Sequence, residues 1–158
     1  MAGHSNGCYM SLAMAMKHSD LVASVCCHAG VLLTAPSDDY IPTPIWFVHG
    51  TADDTVLYNG SESLSVDETI HWVPSIQSEF DYLTSLNGCT QSNTTSTIEG
   101  NIQYAYNCTN SATVEFMTLT DVGHIPYQGV DTNFDTTSSA WKFCSSHESL
   151  VEPVLDLI

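Results

Sequence analysis

The chain has almost no basic residues. Only two of its 158 residues, Lys17 and Lys142, are Lys or Arg, against 18 Asp and Glu, and the formal net charge is −16 with histidine neutral. Such a charge repels phosphate backbones and anionic lipid headgroups, so we expect neither nucleic acid nor a membrane as a partner. The carboxylates are scattered along the chain, which excludes an acidic tail.

Long apolar runs are lacking as well. No stretch approaches the roughly 20 apolar residues that a membrane-spanning helix needs, so no such helix is predicted. No signal peptide is visible at the N-terminus. The histidines and the six cysteines show no spacing typical of a zinc site, and no metal is predicted.

The most informative pattern that is present is Gly3-His4-Ser5-Asn6-Gly7, close to the N-terminus. Gly-x-Ser-x-Gly is typical of a nucleophile elbow, where a strand turns sharply into a helix and exposes a serine hydroxyl. The flanking glycines fit such a turn because it leaves no room for side chains beside the serine. The alternative is that Ser5 caps the N-terminus of a helix, which its residue type would also suit.

The rest of the sequence predicts strands that alternate with helices. Strands are expected at 21–27, 44–50, 102–106 and 113–119, and helices at 8–16, 76–86 and 138–146. This alternation favours an α/β architecture, with a parallel sheet and flanking helices. An elbow needs a preceding strand, but only Met1 and Ala2 come before the motif. We therefore expect the chain to begin in the middle of a fold.

Two predicted loops hold candidate partners for Ser5. Asp53 comes just after the strand predicted at 44–50, and His124 follows the strand predicted at 113–119. Open α/β sheets build their sites at the carboxyl ends of their strands. The chain order serine, aspartate, histidine is that of an α/β-hydrolase triad. In such a triad the histidine takes the serine proton, and the carboxylate fixes the histidine tautomer.

Two further histidines lie in these motifs without an assigned chemical role. His4, inside the elbow motif, is expected to pack or to form a hydrogen bond. His49 is expected to cap a strand end and not to act as a base.

Together the motifs resemble the secreted α/β-hydrolase esterases of the polyhydroxybutyrate depolymerase and feruloyl or acetylxylan esterase family. The matching residues are those of the elbow motif, His49-Gly50-Thr51-Ala52-Asp53 with Val56 and Tyr58, Asn87-Gly88-Cys89, Gly123-His124 and Trp141-Lys142-Phe143. The resemblance extends over nearly the whole chain and implies one partial catalytic domain, residues 1–158, that lacks the N-terminal half. The chain departs from the family pattern at Cys8, where a second glycine is usual, and at Leu57, where proline is usual.

The resemblance implies a serine carboxylic-ester hydrolase that needs no cofactor. Ser5 would be the nucleophile, Asp53 the orienting acid and His124 the base, with the backbone N–H of Asn6 as one oxyanion donor. The second donor of such enzymes comes from a loop in the N-terminal half, and loss of one donor costs roughly 100- to 1,000-fold in turnover.

The implied substrates are polyhydroxyalkanoates and the feruloyl or acetyl esters of plant polymers, so the expected partner is an ester and possibly a polymeric one. Two alternatives stay open. The chain could be a non-catalytic or inactive fragment of such a hydrolase, or a serine peptidase of the same fold.

Cysteines and glycosylation sequons are in keeping with a secreted, extracellular protein. Cys89 and Cys108 flank a polar segment, and a disulfide there would remove about 3 kcal/mol of unfolded-chain entropy; the resemblance implies the same pair. Of the other cysteines, Cys8, Cys26 and Cys27 are expected as buried apolar residues, and Cys144 is left unassigned. Candidate glycosylation sites are the asparagines of three Asn-x-Ser/Thr sequons, Asn59, Asn93 and Asn107.

Overall fold

The computed structural model describes residues 1–66, 69–125 and 135–148. The strands are β1 (Ala2–His4), β2 (Val25–His28), β3 (Ile45–Gly50), β4 (Ser61–Val66), β5 (Thr69–Val73), β6 (Gln91–Ser96), β7 (Gly100–Tyr106) and β8 (Val114–Leu119). The helices are α1 (Asn6–Lys17), α2 (Ile76–Leu86) and α3 (Thr136–Cys144). Six strands form one sheet in the order β1-β2-β3-β8-β7-β6, and β4 pairs with β5 in a separate hairpin.

The α/β architecture with flanking helices is confirmed, but the sheet is mixed, so the expectation of a parallel sheet is wrong. Strands β1, β2, β3 and β8 run parallel to one another, whereas β7 is antiparallel to β8 and β6 is antiparallel to β7. Parallel neighbours need a crossover of about a dozen residues or more. The links from β6 to β7 and from β7 to β8 are shorter than that, so these strands must reverse direction.

Apolar side chains cover both faces of the sheet. On one face, helices α1 and α2 pack over Phe47 and Phe116, whose rings stack with centroids 4.5 Å apart. On the other face, α3 packs over Trp46 and Met117. Neighbouring residues of a strand point to opposite faces, so Trp46 and Phe47 fall into different clusters. Burial from both sides explains why every residue of β3 is buried.

Three disulfides join these elements. Cys89 and Cys108 form the expected pair, and the other two bonds are Cys8–Cys27 and Cys26–Cys144. The expectation that Cys8, Cys26 and Cys27 are unpaired apolar residues is therefore wrong, although all three are buried. A disulfide set of this kind is consistent with a secreted protein, because such bonds persist in oxidising compartments.

The two adjacent cysteines of β2 bind different helices because their side chains point to opposite faces of the sheet. Cys27 is bonded to α1 and Cys26 to the last residue of α3. The Cys26–Cys144 bond spans 118 residues of sequence. A bond of that span removes roughly 5 kcal/mol of unfolded-chain entropy.

None of the described helices is long and apolar enough to cross a membrane.

A buried carboxyl links α2 to the segment after β2. Glu79 is 3% exposed, and its Oε1 accepts a hydrogen bond from the backbone N–H of Leu32 at 2.7 Å. Burial raises the pKa of Glu79 to about 7, while the Leu32 N–H opposes this shift. Folding therefore favours the protonated carboxyl at a pH where the unfolded chain is ionised.

The natural protein should lose stability as the pH rises from about 4.5 to about 7, and we predict that Glu79→Gln does not show this loss. The folded state keeps the proton to a higher pH than the unfolded state, so the free energy of unfolding falls across this window, by roughly 3 kcal/mol. Glutamine keeps an acceptor for Leu32 and carries no charge. Chemical denaturation of both proteins below and above the window measures the difference. An equal pH dependence in the two proteins would contradict the assignment.

Candidate active site

Ser5 lies at the turn between β1 and α1. Its φ of 52° and ψ of −117° fall in a sparsely populated region for a residue with a side chain. The Ser5 N–H donates to the His28 carbonyl of β2 at 2.8 Å, and the Ser5 carbonyl accepts from the N–H groups of Cys8 and Tyr9. Within the described residues its side chain makes no capping hydrogen bond. The backbone is thus that of a sharp strand-to-helix turn, and the hydroxyl does not serve as a helix cap.

His124 connects Ser5 to Asp53. Its Nε2 lies 3.0 Å from Ser5 Oγ, and its Nδ1 lies 2.9 Å from Asp53 Oδ2. Because an ionised carboxylate can only accept, Nδ1 carries the proton and Nε2 presents a lone pair to the serine hydroxyl. The Asp53 side chain is buried, and that of His124 is 15% exposed. The three predicted side chains therefore meet, with Asp53 buried and with Ser5 and His124 partly exposed.

The topology explains why they meet. Ser5 follows β1, Asp53 follows β3 and His124 follows β8, and these three strands are parallel members of one sheet. The carboxyl ends of parallel strands lie at the same edge of a sheet. Asp54, the next residue, is exposed and its Oδ1 accepts a hydrogen bond from the Thr55 hydroxyl at 3.3 Å.

The Asp53 carboxylate lies within reach of four donors. Oδ1 accepts from the backbone N–H groups of Thr55 and Val56, at 2.9 and 2.8 Å. Oδ2 lies 2.9 Å from Nδ1 of His124 and 3.2 Å from Nε2 of His49. Burial alone would raise the pKa of Asp53, but the hydrogen bonds from His49, His124, Val56 and Thr55 outweigh it and hold the pKa well below its usual range. The carboxylate therefore stays charged behind His124.

His49 is the site residue that the sequence did not reveal. His49 was expected to cap a strand end. It is one of the buried residues of β3, and its ring is completely buried. Its contact with Asp53 makes it part of the site. The signal that could have identified it is the four-residue spacing between His49 and Asp53 across a strand end.

His4 packs against the ring of His124. The ring centroids are 5.0 Å apart and the planes are tilted by 47°. Burial, helped by the nearby His124, lowers the pKa of His4, although Asp53 and a hydrogen bond to the Ile125 backbone oppose the shift. His4 is therefore neutral at neutral pH and places no positive charge beside His124.

Asn6 is the first residue of α1. The first N–H groups of a helix have no acceptor within the helix, and they lie at its positive end. The Asn6 N–H is therefore a donor without an acceptor in α1, in the residue that directly follows Ser5.

The two glycines of the motif differ in the space around them. A Cβ at Gly3 would overlap the backbone of Gly7, whereas a Cβ at Gly7 would meet no described atom within 4 Å apart from its chain neighbours and the nearby backbone of α1. The expectation that both glycines are required for space is therefore right for Gly3 and wrong for Gly7.

We predict that Gly3→Ala disrupts the turn that holds Ser5, because the added methyl group overlaps backbone atoms that cannot move aside without shifting α1. Gly7→Ala, the matched control, should leave the site intact and stabilise α1 by up to about 1 kcal/mol. Chemical denaturation measures the stability of each variant, and labelling of Ser5 by a serine-reactive probe measures whether the site is intact. Equal stability and equal labelling of the two variants would mean that the turn does not have this geometry.

The asparagines of the three predicted glycosylation sequons lie on the surface. Asn59, Asn93 and Asn107 are all exposed, in a turn, in β6 and just after β7 respectively, and their glycosylation stays a prediction. Among the described residues, no group of three His, Cys, Asp or Glu side chains could hold a metal ion.

No protein-family model matches the chain, and no curated protein matches it either.

Proposed function

We propose that the chain is a serine carboxylic-ester hydrolase with Ser5, His124 and Asp53 as its triad. The supporting observation is the unbroken relay of two hydrogen bonds, 3.0 Å from Ser5 Oγ to His124 Nε2 and 2.9 Å from His124 Nδ1 to Asp53 Oδ2. Both distances lie in the range of about 2.6–3.2 Å over which a base can activate a nucleophile. A serine at positive φ between a strand and a helix supports the same proposal.

In the proposed acylation step, Ser5 Oγ attacks the ester carbonyl carbon as its proton passes to His124 Nε2. The negative charge of Asp53 stabilises the imidazolium that forms, and the Asn6 N–H donates to the oxyanion of the tetrahedral intermediate. When the intermediate collapses, the carbon–oxygen bond to the alcohol breaks. The alcohol leaves with the proton of His124, and the acyl group remains on Ser5.

In the proposed deacylation step, His124 Nε2 removes a proton from water, whose oxygen attacks the acyl carbon. The second tetrahedral intermediate collapses with release of the carboxylic acid. The proton on His124 returns to Ser5 Oγ, and the free enzyme is restored without a cofactor.

We also propose that the mixed sheet is that of the α/β-hydrolase fold. The support is the chain order Ser5, Asp53, His124 and the attachment of each residue to the carboxyl end of a parallel strand. On the resemblance of the motifs, the substrates are polyhydroxyalkanoates or the feruloyl and acetyl esters of plant polymers. Action on such extracellular polymers requires secretion, with which three disulfides are compatible.

The proposal predicts that a fluorophosphonate probe labels Ser5 of the folded chain, because phosphonylation needs an activated serine. Ser5→Ala lacks the nucleophile and His124→Ala lacks the base, so neither variant should be labelled. Gel fluorescence and peptide mass spectrometry measure the reaction, and circular dichroism checks that each variant is folded.

Two outcomes would contradict the proposal. Failure of the folded natural chain to react would favour a non-catalytic fragment of a hydrolase. Labelling accompanied by cleavage of amide substrates, with esters cleaved no faster, would favour a serine peptidase.

A further inference from the structure

We propose that His49 is a positioning residue that fixes the Asp53 carboxylate in the orientation that His124 requires. This inference rests on the proposed function of Ser5. The observations that carry it are the contacts of one buried ring nitrogen and the arrangement of donors around one carboxylate.

The proton of His49 can be located from its contacts. Its Nε2 lies 2.7 Å from the carbonyl oxygen of Val56 and 3.2 Å from Asp53 Oδ2. A carbonyl oxygen only accepts hydrogen bonds, so Nε2 must carry a proton. That N–H is shared between the two oxygens. Its shorter hydrogen bond, to the Val56 carbonyl, fixes the ring, and its longer one reaches Asp53 Oδ2.

The same turn holds the other side of the carboxylate. The N–H of Val56 donates to Asp53 Oδ1 while its carbonyl accepts from His49. Oδ1 also accepts from Thr55, so both backbone donors lie on one oxygen and both histidines on the other. A carboxylate offers about four lone-pair sites. Rotation of the Asp53 carboxylate would therefore break contacts at both oxygens, and Oδ2 stays directed at His124.

His49 can hold the carboxylate without neutralising it. Its ring is completely buried, and among the described residues its Nδ1 has no hydrogen-bond partner. A second proton on the ring would be buried without an acceptor in this part of the chain, which is unfavourable, so the geometry points to a neutral ring with one proton on Nε2. A cation at this position would compete with the imidazolium of His124 for the charge of Asp53. A neutral donor leaves that charge available.

Two variants of similar length separate positioning from packing. Glutamine at position 49 can place an amide N–H where Nε2 lies, whereas methionine fills similar space without a donor. We expect His49→Gln to react with the fluorophosphonate probe within about threefold of the natural rate, and His49→Met to react roughly 10- to 100-fold more slowly, the range seen when a residue that orients a metal ligand is removed. Circular dichroism and thermal unfolding verify that both variants are folded.

An NMR signature tests the inference independently of catalysis. We expect the imidazole ¹⁵N spectrum to show His49 protonated on Nε2 only. The low-field proton signal of His124 Nδ1–H should keep its position in His49→Gln and shift in His49→Met, because only methionine removes the second donor to Oδ2.

The outcomes separate this inference from the proposed function. If the natural chain does not react with the probe, the proposed function fails, and the NMR signature alone decides the role of His49. The inference is overturned if folded His49→Met reacts with the probe as fast as the natural chain, or if the reaction rate of His49→Gln is as low as that of His49→Met. Protonation of His49 on Nδ1 would overturn it as well.

Discussion

The buried negative charge of Asp53 is the constraint on which the site depends. An ionised carboxylate is stable in a protein interior only when donors surround it. Here the donors come from three parts of the chain: the turn at Thr55 and Val56, His49 at the end of β3, and His124 in the loop after β8. The hydrogen bonds to the Asp53 carboxylate therefore bring together the loops that follow the adjacent strands β3 and β8 at one edge of the sheet. They also orient His124 toward Ser5.

The strained backbone of Ser5 is held by a second set of contacts. A residue at such φ and ψ costs about 1–3 kcal/mol and persists only where the surroundings determine it. Hydrogen bonds fix the turn to β2 and to the first turn of α1, and the Cys8–Cys27 disulfide joins the same two elements. The Cys26–Cys144 bond fastens the opposite face of β2 to α3. The strand beside Ser5 is thus anchored on both faces.

Sequence patterns predicted the elements that local chemistry determines. Helix α2 occupies the predicted residues 76–86, and β3 begins one residue later than predicted, because apolar periodicity and flanking glycines mark such elements. Strand β6 was missed because its six residues are polar and exposed, so it has no buried face to leave a pattern. The Cys8–Cys27 and Cys26–Cys144 disulfides and the contact of His49 with Asp53 were missed because they depend on which elements meet in space.

Formation of an acyl-enzyme on Ser5 is the most direct test of the account. The folded protein would be mixed with p-nitrophenyl acetate, and the release of p-nitrophenol would be followed together with the mass of the intact chain and of its peptides. The account predicts a burst of p-nitrophenol and one acetyl group on the peptide that contains Ser5, both absent from Ser5→Ala. Acetylation of a different residue, or no acetylation of the folded chain, would contradict it.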